Sequence, residues 1–466
     1  MTALADGVEV LTTPTARVVV WTVLALLAVV IGRELRNVPK PLLALMAAAF
    51  LDMVGLFLVL PLVPFYVQTF AGEGLTLPWF GTLGIGALSG LMASAYTIAQ
   101  MLSAPLWGRL SDRIGRRPVL MIAIAASGLA FGILAVADSL WLLLLSRLVQ
   151  GTGGGTVGVI QAYVADTVEP AQRTRGLGWL SAATNLGVAL GPALGSGLVE
   201  LGANDLWPGT GELRLGNAAP GLGAAVLCLG NLVFVRLWLR ESHAPAAVPR
   251  TAPPLSTRAA AWGAITDVRA PASRLLWIYG IAIGAAQGIG PVLPFFLQGR
   301  LGFDERTIGY VFLYIGAISV LARVLLLGPA VDRLGEARLA QIGITTLGLG
   351  FLLLSWIGSL GQLALAIAAM PLGTSLTFPC ISALLSRSVH ADHRGLYLGL
   401  QQTFGSAARL GAPLLYGWAY DALGDAAPLQ FAAALVLSTW LLAFGLPTRR
   451  GPGDRAIVPP TAQGRP

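Results

Sequence analysis

Residues 104–120 read APLWGRLSDRIGRRPVL, a glycine-bracketed cluster of charge between two long apolar runs. Its frame, Gly108-x-x-x-Asp112-Arg113-x-Gly115, returns 220 residues later as Gly328-x-x-x-Asp332-Arg333-x-Gly335. Two further matches keep nearly the same register. Pro61-Leu-Val-Pro64-Phe65-Tyr recurs as Pro291-Val-Leu-Pro294-Phe295-Phe at an offset of 230, and Arg175-Gly176 recurs as Arg394-Gly395 at 219. The chain is therefore an internal duplication. The fall in offset assigns the first half a longer loop after its first helix, around GEGLTLPWF (72–80).

Working outward, the two clusters sit among apolar stretches that are each long enough to cross a hydrocarbon core of ~30 Å. They lie at 42–69, 84–107, 118–137, 140–165, 176–200 and 219–240, then at 274–298, 308–329, 338–358, 360–386, 396–420 and 428–446. Charged residues are 11% of 466 and hydrophobic ones 55%, against about 25% charged in soluble domains. That balance makes lipid the solvent, and backbone groups in lipid must be satisfied within helices. Twelve spans follow, six per half, both halves starting on the same side. A thirteenth helix is expected over 17–32 with its N-terminus outside, an interfacial helix being the alternative. Acidic Asp6 and Glu9 and the lack of a small-residue cleavage site argue against a signal peptide there.

The net charge of +8 is carried almost entirely by arginine, and its placement excludes a nucleic-acid partner. Arg109, Arg113, Arg116, Arg117, Arg173, Arg175, Arg333 and Arg338 fall in loops two–three, four–five and eight–nine. Opposite loops hold only Arg214, Arg300 and Arg306, beside Glu73, Glu200, Asp205 and Asp304. The positive-inside rule places loops two–three, four–five, six–seven, eight–nine and ten–eleven and the C-terminus in the cytoplasm, with the inner membrane as location. The expected units are an N-terminal segment 1–40, a bundle 41–240, a cytoplasmic linker 241–273 with a short surface helix near 257–268, a bundle 274–447 and a disordered tail 448–466. Cys228 and Cys380 lie inside apolar segments, so neither a disulfide framework nor a metal site is expected. His390 and His393 around Asp392 lack further ligands. Gly151-Thr-Gly153-Gly154-Gly155 lacks the Lys-Ser/Thr of a phosphate loop, so it reads as close helix packing.

The loop cluster resembles the signature of the major facilitator superfamily. The first helix, with Asp52, Gly55, Leu58, Pro61 and Pro64, is similar to tetracycline:proton antiporters and their drug-efflux relatives, as is the run from Arg147 through ADTVEPAQRTRGLGWL to Gly195. The resemblance implies two parallel six-helix bundles around a central cavity, acting as a monomer without cofactor or enzymatic activity. It further implies that Asp112 caps the eleventh helix, that Arg116 pairs with Asp166, and that Arg147 lines the cavity. Gly187, Gly191, Pro192 and Gly195 resemble the antiporter motif; their spacing of four puts the glycines on one helix face.

Charges at mid-membrane cost ~2.5–3.5 kcal/mol on insertion scales, so each needs a reason. Asp52 lies ~15 Å into its helix. Its repeat counterpart at offset 230 is Ala282, so the scaffold itself does not demand an acid there. Arg147 lies at a similar depth, and a coupling to Asp52 is expected, direct or through Gln100, Gln150 or a water. Arg323 and Arg409 have no acid beside them in sequence and can meet an anionic group on a substrate. Gln287, Gln401, Gln402 and Asn185 complete the expected cavity contacts. Helix nine (340–358) lacks the acid found there in tetracycline carriers, which turns the expectation from tetracycline towards another amphipathic organic molecule. The chain thus reads as a proton-coupled exporter, with a metabolite uniporter or proton symporter as the alternative.

Overall fold

The computed structural model describes residues 40–72, 74–77, 81–154, 156–169, 173–203, 215–242, 263, 267, 269–389 and 393–443. The proposed helix 17–32, most of the linker and the tail from 448 lie outside them. Among the described residues twelve helical rods follow one another. The first is α1 (Lys40–Val59), a 3-10 turn at Leu60–Leu62, and α2 (Val63–Ala71). Pro61 and Pro64 lack N–H donors, so the helical ladder breaks there. The seventh rod repeats the device: α9 (Pro271–Gly288) and α10 (Leu293–Leu301) meet at 49° across Pro291.

Between these lie α3 (Ile85–Ile114), α4 (Arg116–Ala135), α5 (Leu140–Gly154) continued by α6 (Val157–Thr167), α7 (Arg173–Ala203) and α8 (Leu215–Trp238). The second half continues with α11 (Ile308–Leu321), a π-turn at Ala322–Leu326 and α12 (Leu327–Leu334). It ends with α13 (Glu336–Leu354), α14 (Leu360–Ser388), α15 (Arg394–Leu423) and α16 (Ala427–Ala443). Eight of these rods are long and apolar enough to cross a membrane as they stand, and the bent pair makes nine. The fourth rod is interrupted at its glycine run, α15 dilutes its apolar run with Gln401, Gln402, Arg409 and Asp421, and α16 is short. Large apolar side chains such as Trp141, Trp356 and Leu441 face outward, as a lipid solvent requires.

The extra length of the first half forms a hairpin, β1 (Leu75–Leu77) against β2 (Gly81–Leu83), with Leu75 opposite Leu83. It leads directly into α3. At the other end of α3, the tight reversal into α4 is made at Gly115, whose φ of 101° is one that side chains resist; Gly335 repeats it at 75°. Gly108, expected to share that task, instead lies within α3 with open space around it.

The halves close against each other at the end remote from the arginine-rich loops. Ser94 Oγ donates to the Leu410 carbonyl at 2.8 Å, joining α3 to α15. Ser196 Oγ on α7 donates to the Glu305 carbonyl at 2.6 Å and accepts from the Gly309 amide at 3.0 Å. At the same end Arg300 Nε and Asp425 Oδ2 pair at 2.7 Å, tying α10 to the turn before α16. The Arg300 guanidinium holds the Asp425 carboxyl below the ordinary carboxylate range. Its stabilisation is therefore complete above about pH 4, where the unfolded acid is ionised, and fades as pH falls through the lower folded value. Both groups are partly exposed, so less than about 1 kcal/mol is at stake. Arg300→Gln is expected to lower the melting temperature slightly at pH 7, the gap to wild type closing as pH falls below the ordinary carboxylate range, in thermal unfolding of the purified protein.

Candidate functional site

Helix α1 is positioned by the glycine face of α7. A Cβ on Gly187 would lie 2.7 Å from the Phe50 carbonyl oxygen, and one on Gly191 2.8 Å from that of Val54; Gly195 abuts the Leu58 carbonyl still more tightly. Phe50, Val54 and Leu58 form an i, i+4 stripe, and Asp52 is turned roughly 200° from Phe50 at 3.6 residues per turn. It shares a face with Gly55, which packs towards Phe131 of α4 and Cys228 of α8. Asp52 therefore enters a narrow pocket inside the first bundle, lined also by Leu45, Ala49, Leu120, Ala123, Thr156 and Val235. The seam between the bundles, where a cavity residue was expected, lies on another side. The Pro192 carbonyl, behind the glycine stripe, packs closely against Gly309 of the second half, where a Cβ would strike it.

Arg147, on α5, is 1% exposed, and none of its guanidinium nitrogens has a hydrogen-bond partner among the described residues. It is sealed within packed helices and does not open on a cavity in this conformation. No hydrogen bond joins it to Asp52. The Tyr96 hydroxyl of α3 lies within electrostatic range of both, and of Arg409 of the second half. Gln100 Nε2 donates to that hydroxyl at 3.3 Å and to the Gly154 carbonyl at 2.9 Å. The glycine run of α5 makes this approach feasible, since a Cβ on Gly154 would lie 2.6 Å from the Tyr96 hydroxyl.

At the arginine-rich end, Arg116 Nε meets Asp166 at 3.3 Å, as the resemblance implied. Asp112 departs from its implied role. Its side chain is 66% exposed and pairs at 2.5 Å with Arg116 of its own half, and caps no amide of α15. The seam is closed at the opposite end, so this end lacks the approach that such a cap needs. Arg116 also reaches Ser111 Oγ at 2.6 Å, while the Glu241 carboxylate accepts from the Arg116 and Arg117 amides at 2.8 and 3.2 Å. Glu241 thereby caps α4 from the start of the linker. Arg113, like Asp332 and Arg333 of the second copy, is exposed at this end. Gly328, like Gly108, has open space. The second half makes its own pair with opposite polarity: Glu336 Oε1, at the position equivalent to Arg116, meets Arg387 Nη2, near the end of the helix equivalent to that of Asp166, at 2.6 Å.

The other expected contacts divide. Gln150 is buried on α5 with its side-chain oxygen unpaired. Asn185 turns back to the Ser181 carbonyl at 2.6 Å. Gln401 is buried and donates to Ser382 Oγ at 2.8 Å, so it serves the interior of the second bundle and not the seam. Gln287 and Gln402 are exposed. Arg323, in the π-turn, and Arg409 each keep a buried Nε without a partner. Near Arg409, the Phe404 ring meets Trp277 edge-on at 5.3 Å, and the Trp277 indole nitrogen is another buried donor without an acceptor.

A sequence model described as Major Facilitator Superfamily matches residues 45–326 and 275–464. The class C tetracycline resistance protein of Escherichia coli is 31% identical over 419 residues, covering 89% of this chain and 98% of that protein. Human major facilitator superfamily domain-containing protein 10 is 27% identical over 432 residues, covering 85% and 89%. Among solved structures, the human organic anion transporter MFSD10 (TETRAN) superposes with a TM-score of 0.61 at 23% identity, over 87% of this chain and 100% of that one. A bacterial homologue of the human lysosomal transporter Spinster, inward-facing and occupied, superposes with a TM-score of 0.65 at 15% identity, over 88% and 98%. With its duplicated six-rod halves, its paired charge clusters and these matches, the chain belongs to the major facilitator superfamily of membrane transporters.

Proposed function

We propose that this protein is a proton-coupled antiporter that exports an amphipathic organic compound carrying an anionic group, by alternating access between its two bundles. The observation that carries the reading is the placement of Asp52 in a narrow pocket of the first bundle, with Arg147 buried on α5 and without a hydrogen-bond partner among the described residues. Asp52 takes and releases the proton in the first bundle. Tyr96 stands beside the seam and passes the change in charge to the Arg409 guanidinium of the second bundle, where cargo binds. Protonation and cargo binding then favour different facings, which is what exchange requires. Arg323 and Arg409, each with a buried Nε that has no partner among the described residues, together with the Trp277–Phe404 pair, favour a flat apolar body bearing a carboxylate or similar anion. The human MFSD10 structure is of an organic anion transporter, which supports the same charge class. The bacterial tetracycline resistance relatives support export.

In this reading the chain works as a monomer in the inner membrane with its arginine-rich loops in the cytoplasm, its units being 41–240 and 274–447. The conformation, closed at the arginine-poor end, is then the inward-facing one. A panel of ring compounds differing only in charge, tested in inverted vesicles with and without a pH gradient, examines this. Anions are expected to accumulate, the accumulation to vanish when the gradient is dissipated, and Arg409→Gln to lower anion uptake at least about tenfold while leaving a neutral ester unaffected. Preference for cations, or counterflow indifferent to the gradient, would refute it; the second outcome marks the uniport alternative.

A further inference from the structure

The helices α3 and α15 are each 30 residues long and run antiparallel along the seam, Gly86 against Gly417 and Gly90 against Pro413. Each carries an aspartate at its third residue from the C-terminal end, Asp112 in α3 and Asp421 in α15. In this structure Asp421 crosses the seam. Its Oδ1 accepts from the Gly86 amide at 2.9 Å and its Oδ2 from the Ala87 amide at 2.8 Å. The N-terminus of α3 has no side-chain cap of its own, because the residue there is Gly84. A carboxylate of the second half therefore satisfies orphan donors, and meets the positive end of the dipole, of a first-half helix. The fit depends on glycine. A Cβ on Gly84 would lie 2.6 Å from Asp421 Oδ1, and one on Gly86 would lie 2.6 Å from the Gly417 carbonyl oxygen.

We infer that Asp421 is the residue that holds the arginine-poor end shut, and that it lets go once per transport cycle. The bond joins two bodies that an alternating-access carrier must separate, so it is made in one facing and broken in the other. Three features favour this over a static cap. The carboxylate is exposed, so water can replace the amides when the ends part. The neighbouring contacts along α3 and α15 are small residues touching backbone to backbone, which separate without leaving large apolar side chains stranded. The matching aspartate on α3 stands unengaged by the other half while Asp421 is engaged, as expected if the two ends close in alternation.

The test measures the distance between the two halves at that end in the full-length protein in lipid nanodiscs. Asp138→Cys and Ser359→Cys, on exposed loops of the first and second half, carry spin labels for pulsed dipolar spectroscopy; the native Cys228 and Cys380 are buried and do not label. Asp421→Asn and Asp421→Ala are expected to raise the ratio of long to short distances by about five- to tenfold, the loss of an exposed charge-assisted cap. Gly86→Ala, which leaves the carboxylate but wedges the helices apart, is expected to do the same. A folded Asp421→Ala protein with an unchanged distance distribution would overturn the inference, as would a distribution shifted towards shorter distances. If Asp421→Ala does not fold, Asp421→Asn, which keeps the shape and one acceptor oxygen, decides by the same criterion.

Discussion

Asp52→Asn is expected to abolish efflux driven by a pH gradient while leaving the protein folded. Asparagine fills the volume of the carboxyl group in the pocket of α1, α4 and α8, so packing is preserved. It also removes a group that is costly to hold ionised in the membrane, so stability stays level or rises. What it removes is the exchangeable proton. One unit of pH across the membrane supplies about 1.4 kcal/mol per proton, a tenfold concentration ratio, and that ratio is expected to collapse to unity in the variant. Passive counterflow of cargo is expected to continue, because Arg323 and Arg409 of the second half are untouched. Transport in inverted vesicles with an imposed gradient measures the first effect and isotopic exchange at equal pH the second. Undiminished gradient-driven efflux would remove Asp52 from the mechanism. Tyr96→Phe is expected to fall between, keeping the ring and losing the hydroxyl that lies within electrostatic range of Asp52, Arg147 and Arg409.

The second large effect is structural. Gly195→Leu would drive a side chain into the Leu58 carbonyl, at the closest approach of α7 to α1. Neither helix can yield cheaply, because α7 is held on its other side by Gly316 against Ala189 and by Ser196 bound to the Glu305 loop. Overpacking of this kind costs about 1–3 kcal/mol and more when backbone is struck. The expected result is a melting temperature lowered by several degrees and transport lost, since the displaced α1 carries Asp52. Gly197→Leu, two residues on, meets open space and is expected to leave both within error. Equal effects at the two positions would show that the stripe is not a packing surface.

The duplicated architecture was legible because each half repeats residues that the backbone itself needs. The Pro-x-x-Pro pairs break the first and seventh rods alike, and Gly115 and Gly335 adopt the same positive φ. The loop that the offset flagged as longer is the one that folds into the hairpin. Gly187, Gly191 and Gly195 likewise announced a face by their spacing. The site was less legible. Asp52 was recognisable as a buried acid from its depth, but depth does not say which way a helix is rotated, and rotation here turns it into one bundle and away from the seam. Tyr96 passed unnoticed because a tyrosine in an apolar helix carries no motif; its spacing of four from Gln100 was the available sign. Gln401 was misassigned for the same rotational reason. Glu241 and Asp421 act on backbone amides far off in sequence, and no local pattern encodes such a partner. Asp112 pairs with Arg116 of its own half here, and not with the eleventh helix that the resemblance implied.

The opposed polarity of Arg116–Asp166 and Glu336–Arg387 bears on how such a gene can change. Two similar stretches within one reading frame invite recombination between them. A crossover falling between the third and fourth helices of the repeat would set Arg116 facing Arg387, or Glu336 facing Asp166, and like charges at that spacing repel across the turn. Each half has in effect its own lock and key, so an exchange of parts between the copies would replace an ion pair by a like-charge contact.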